Sequence, residues 1–136
     1  MAEEAHKATR LPAALLARIV KLADRLDRWI ADESEPALVH GDLWGGNTLV
    51  RKGRLVGVID AAISYSDAEI ELAFTTLFGT FGKAFFARYH ELRPIAPGFF
   101  EERRDLYNLY PLLVHVRLFG GSYVGDVERI VSRFGY

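Results

Sequence analysis

"ALVHGDLWGGNTLV", residues 37–50, is a short apolar strand that runs straight into a histidine, an aspartate, a tryptophan, two glycines and an asparagine. Polar groups packed at a strand end are delivered to something, so the neighbouring elements decide what these residues can meet. Ala37–Val39 reads as a buried strand, Asn47–Val50 as a second and "RLVGVI", Arg54–Ile59, as a third. Lys52-Gly53 is the turn between the last two, which makes them a hairpin. The hairpin folds Asp60, at the end of the third strand, back beside Asn47. Without that reversal the two residues have no reason to meet.

His40, Asp42 and Asn47 stand in the spacing H-x-D-x-x-x-x-N, which is the spacing of the protein-kinase catalytic loop. Phosphoryl transfer to a hydroxyl needs a carboxylate that orients the attacking group and accepts its proton, and oxygen ligands that hold magnesium against the phosphates. Asp42 fits the first role, and Asn47 with Asp60 fits the second. Gly41, Gly45 and Gly46 let the backbone turn sharply and leave room around the aspartate. His40 reads as a structural hydrogen-bonding residue of the loop rather than an acid or base.

Around this segment the chain is mainly helical. Leu15, Ile19, Leu22, Leu26 and Trp29 or Ile30 recur at steps of three and four, opposite Arg18, Lys21, Asp24, Arg25 and Arg28. The helix they predict follows a polar tail over residues 1–10 and ends in a linker at residues 31–36. Ser66 and Glu69 match a capping box ahead of Ile70, Ala73, Phe74 and Leu77. Further helices are expected over Lys83–Leu92, over the apolar segment Phe99–Phe119, which Pro111 should kink or split, and over the stretch from Ser122. Most of the aromatics recur at helical spacing and read as core. Tyr65, in the loop after Asp60, is the one that reads toward the cleft.

The 136 residues fit one domain, residues 1–136, of α+β class. Half are apolar and the net charge is −1, which gives no general pull toward nucleic acid or acidic membranes. Cysteine is absent, so disulfides and thiolate metal sites are excluded, and a reducing cytoplasmic setting is expected. No apolar run reaches the roughly 18 residues of a membrane span. A metallophosphoesterase, which "GD…GN" superficially suggests, needs several histidine and carboxylate ligands. Only His6, His40, His90 and His115 exist, and none lies in a G-N-H motif.

"LVHGDLWGGNTLV", "GVIDAAISYSDAEIELA" and "PGFFEERRDLYNLYPLLVHVRLFGGSYVGDVERI" together resemble the C-terminal lobe of the fructosamine kinases (ketosamine 3-kinases). That family is related to the aminoglycoside phosphotransferases and shares the protein-kinase-like fold. H-G-D alone marks the wider group, whereas W-G-G-N and the late L-F-G-G are more particular. The resemblance implies that Asp42 is the catalytic base, that Asn47 and Asp60 hold Mg2+, that ATP donates the phosphate, and that a ketosamine sugar hydroxyl accepts it. Trp44 then becomes a wall of the sugar site. Two departures from the family pattern are Asp60-Ala61 in place of D-P, and Glu69-Ile70-Glu71-Leu72-Ala73 in place of E-x-D-L-A, which lengthens one side chain at Glu71.

Such kinases close ATP between two lobes, and the other lobe supplies a Gly-rich loop and a strand lysine. Neither pattern precedes Asp42 here. The expectation is therefore a C-terminal lobe with its N-terminal lobe absent, inactive by itself. Apolar surface should be left exposed near the strand ends, to be covered by that lobe or by another copy of the chain. Two further readings stay open: an aminoglycoside-type or other small-hydroxyl phosphotransferase lobe, and a non-catalytic binding or scaffold relic.

Overall fold

Lys52 and Gly53 both sit at positive φ, 50° and 73°, the turn geometry whose twist matches the strands of a tight hairpin. In the structure, a computed structural model that describes residues 1–8, 10–30 and 35–136, this turn joins β2, Thr48–Arg51, to β3, Arg54–Val58. The strands pair antiparallel with Thr48 opposite Val58, and the register shifts between Leu49 and Val50. Asn47, expected as the first strand residue, instead ends a 3-10 turn over Gly45–Asn47.

β1, Ala37–Val39, forms where its sequence reads, but only Val39 of the expected buried strand is buried, Leu38 being 61% exposed, and its partner was not legible. That partner is β4, Ser64–Ser66, antiparallel with Leu38 opposite Tyr65. A three-residue Ser-Tyr-Ser strand carries no alternation that sequence could announce. Helix α3, Ala68–Leu77, follows at once, and its cap differs from the expected box. The Asp67 side chain accepts from the Glu69 backbone N–H at 2.9 Å, so Ser66 is the last strand residue and Glu69 is free for other work. Helix α4 spans Lys83–Leu92 as expected.

The remaining elements are α1, Ala2–Lys7, α2, Ala13–Ala23, α5, Arg104–Phe119, and α6, Ser122–Arg133. Residues 2–7, expected as part of a polar tail, are helical and bury Ala5. Helix α2 stops earlier than its periodicity suggests. Arg25 leaves helical geometry and Leu26–Arg28 continue as a 3-10 turn, which brings Trp29 edge-on to Phe134 at 5.0 Å. The linker expected at 31–36 lies outside the described residues over 31–34. A π turn over Phe99–Arg103 precedes α5. Pro111 neither splits nor ends α5. Leu109, Leu112 and Leu113 around it are buried, and at about 1.5–3 kcal/mol for each such side chain their packing outweighs the roughly 3 kcal/mol that an interior proline costs.

The protein is thus α+β and mainly helical, in two compact units: Met1–Asp32 with Asp105–Tyr136, and Glu33–Arg104. Among its described residues the regular elements of the first are all helices, with Leu15, Ile19, Leu22, Leu112, Val116, Val127 and Val131 in its interior. Within it Arg18 ties α2 to the chain end by bonds to Glu128, Ser132 Oγ and the Tyr136 carbonyl. The second holds both strand pairs, α3, α4 and every residue of the H-x-D-x-x-x-x-N segment. Its β2–β3 hairpin is apolar and uncovered, with Val50, Leu55 and Val56 each more than half exposed.

Candidate active site

The loop between β1 and β2 is built around Asn47, which is buried at 6% exposure although it is polar. Its Nδ2 donates to the Asp42 carbonyl at 2.9 Å and to Asp42 Oδ2 at 2.8 Å. Both amide protons are thereby spent on Asp42, so the Asn47 Oδ1 oxygen remains as an acceptor for something else. The same bonds hold the Asp42 carboxylate in one orientation.

His40 supports the loop in a defined tautomer. Its Nδ1 accepts from the Asp42 backbone N–H at 3.3 Å and must be unprotonated to do so. The proton is therefore on Nε2, which donates to the Ile59 carbonyl at 3.0 Å. The Ile59 N–H in turn donates to the Asn47 carbonyl at 3.0 Å. The residue before Asp60 is thus pinned to both His40 and Asn47, which carries the end of the hairpin to the loop. Asp60 itself takes a left-handed φ of 54° and is exposed. For a non-glycine residue that conformation costs about 1–3 kcal/mol.

Two of the loop glycines meet steric demands. Gly41 has a φ of 82°, and a Cβ there would lie 2.1 Å from the Ala62 carbonyl oxygen, so the segment after Asp60 folds down onto the loop. A Cβ on Gly46 would lie 2.4 Å from the Trp44 ring, which covers that residue. At Gly45 a Cβ would meet nothing within 4 Å.

Trp44 is 42% exposed and makes an edge contact with Phe78, ring centroids 6.1 Å apart, so the indole has a packing partner while part of it meets solvent. Tyr65 is 77% exposed on β4 opposite Leu38, outside the group of bonded side chains at Asp42. The residue that sequence reasoning did not place is Glu71. From the start of α3 its Oε2 accepts both the His40 and the Gly41 backbone N–H groups, the latter at 3.0 Å. The longer side chain noted at this position is what spans from α3 to the loop. The signal available in sequence was the acid of the E-x-D-L-A pattern, which marked the position but not the partner it reaches.

Among the described residues no group of three or more His, Asp or Glu side chains converges as a metal cage. The Ile59–Asn47 backbone bond places the backbone of Asp60 one residue from that contact, so two residues with oxygen-bearing side chains adjoin here. That set suits magnesium, which takes one or two protein oxygens and fills its shell with water and phosphate.

Comparison with known proteins shows the family. The fructosamine kinase family model matches residues 3–134. A relative named "Probable ketoamine kinase slr1563", from Synechocystis sp., is 44% identical over 72% of this chain and 33% of its own length. The ketosamine-3-kinase of Mus musculus is 43% identical over 73% of this chain and 31% of its own. The crystal structure of a "putative fructosamine-3-kinase" from Thermobifida fusca YX-ER1 is similar with a TM-score of 0.80 and 36% identity, over 97% of this chain and 46% of that one. The chain spans between about a third and a half of the length of the curated relatives it matches. With a family model covering nearly its whole length and the loop that the motif requires, this chain belongs to the fructosamine kinase family.

Proposed function

We propose that this chain is the C-terminal lobe of an ATP-dependent kinase that phosphorylates a sugar hydroxyl of ketosamines such as fructosamine or ribulosamine adducts, the chemistry of protein deglycation. The observation that carries it is the Asn47–Asp42 pair, which orients a carboxylate and leaves one amide oxygen available beside it. Asp42 would accept the proton of the attacking hydroxyl, a contribution of about 10²–10⁴ in rate. Asn47 Oδ1 and the Asp60 carboxylate would hold Mg2+, which when bound neutralises charge on the phosphates of ATP. Glu71, through the His40 and Gly41 amides, would keep the loop from shifting as the hydroxyl enters. The partly exposed indole of Trp44 offers a flat apolar wall to a sugar ring, and Tyr65 is the second candidate substrate contact.

The uncovered apolar hairpin supports a reading in which a further layer, an N-terminal lobe or another copy of the chain, completes the ATP site. The chain by itself is then inactive, and the setting is the cytoplasm. Among the described residues no helix is long and apolar enough to cross a membrane.

The test is phosphoryl transfer from ATP with Mg2+ by the protein expressed from its complete reading frame. Fructose- and ribulose-modified lysine and a kanamycin-type aminoglycoside serve as acceptors. Turnover of a ketosamine is expected. Turnover of the aminoglycoside alone would transfer the assignment to that class, and binding without turnover of any acceptor would favour a scaffold.

A further inference from the structure

Glu69 and Glu71 stand two residues apart in the first turn of α3, so they leave the helix about 200° apart. Glu71 reaches the loop that carries Asp42. Glu69 reaches the opposite way, to Arg103 at the end of the π turn. The contact is a two-pronged fork, Nε to Oε2 at 2.6 Å and Nη2 to Oε1 at 2.8 Å. The same guanidinium donates to the Pro97 carbonyl at 2.9 Å and the Ala96 carbonyl at 3.1 Å. Both side chains are nearly buried, at 15% and 13% exposure, whereas the Arg88–Glu91 pair on α4 is 68% and 62% exposed.

We propose that Arg103 is a positioning residue for the catalytic loop, acting through Glu69 and the first turn of α3 on Glu71. The inference rests on the reading of the Asp42 loop as catalytic. That first turn carries Asp67, Glu69 and Glu71, three acids that suit a helix N-terminus singly but repel one another. Arg103 neutralises the cluster from one side, and its planar fork fixes direction as well as charge. The π turn sets that direction. The Arg103 N–H donates back to the Gly98 carbonyl at 3.2 Å, a five-residue step. Closing the turn as an ordinary α-helix would remove one residue and swing Arg103 by about 100°, away from Glu69. A π turn in this place thus has a use: it aims a cation at the helix from which the loop hangs.

Amide hydrogen exchange resolved by NMR, on the 136-residue chain, tests this with wild type, Arg103→Lys, Glu71→Ala and the double variant. Lysine keeps the charge and loses the fork. In Arg103→Lys the His40 and Gly41 amides are expected to exchange about tenfold faster, while mid-helix amides of α4 and α6 stay within about twofold. In the Glu71→Ala background, which removes the acceptor, the same change should add less than about twofold, because Glu71 is the route. Unchanged exchange at His40 and Gly41, uniform acceleration everywhere, or additive effects in the double variant would each overturn the proposal. Should Arg103→Lys fail to fold, Glu69→Gln, which keeps one acceptor oxygen for Arg103, carries the same comparison. Exchange needs no turnover, so a failure of the kinase assay and a failure of this inference are separate results.

Discussion

Asn47 gives its side-chain amide to Asp42 twice, to the backbone carbonyl at 2.9 Å and to Oδ2 at 2.8 Å. Both donors of a buried asparagine are thereby satisfied, and the carboxylate is held to the loop. Structure and chemistry at this point can be separated by substitution. In Asp42→Asn the new amide oxygen can still accept from Asn47, so stability should change by less than about 1 kcal/mol. Turnover in the complete protein should fall by about 10²–10⁴. Urea unfolding alongside the kinase assay checks both, and retained activity would remove Asp42 as the base.

Glu71 is the acceptor for two consecutive backbone N–H groups. Replacing it by alanine leaves both to water or to nothing. The expected loss is about 1.5–3 kcal/mol, the range for hydrogen bonds to a charged group. Glu71→Gln keeps an oxygen and should lose less. Denaturant midpoints of the two variants, compared at equal m-value, decide this.

The loop glycines should respond unequally to alanine. Gly41→Ala meets the Ala62 carbonyl and an unfavourable φ at once, and should be the most destabilising of the three, at more than about 1 kcal/mol. Gly46→Ala displaces the Trp44 ring, so its signature is a change in tryptophan fluorescence. Gly45→Ala has open space around it and should stay within about 0.5 kcal/mol of wild type. Equal effects at all three positions would contradict the geometry described.

Asp60 holds a left-handed backbone that glycine adopts without strain. Asp60→Gly should therefore leave the chain as stable or raise its stability by up to about 1 kcal/mol, while phosphoryl transfer by the complete protein is lost. Thermal unfolding and the kinase assay read the two sides. A clear loss of stability would mean that the Asp60 side chain holds the hairpin together and is not kept for a ligand.

A fifth consequence concerns the uncovered hairpin. Val50, Leu55 and Val56 present apolar area to solvent on an isolated two-stranded pair. If another copy covers it, light scattering should show a dimer whose population rises with concentration, and Val56→Lys should return it to monomer. A monomer at high concentration would leave a separate lobe as the cover.

Local chemistry was enough for much of this molecule. Lys52-Gly53 writes the hairpin because only certain residues accept positive φ, and that hairpin, read with the H-x-D-x-x-x-x-N spacing, predicted that Asp42, Asn47 and Asp60 belong to one loop system. Helix α4 and strand β1 were likewise readable from periodicity and punctuation. What no run of neighbours could announce was decided by packing across the chain: the pairing of Ser64–Ser66 with β1, the cap at Asp67, the unbroken helix through Pro111, and the reach of Glu71 to the amides of His40 and Gly41. The division has a physical cause. Turn and helix propensities act between residues a few positions apart, whereas a carboxylate finds two backbone donors 31 and 30 positions away only after the core has set the distance.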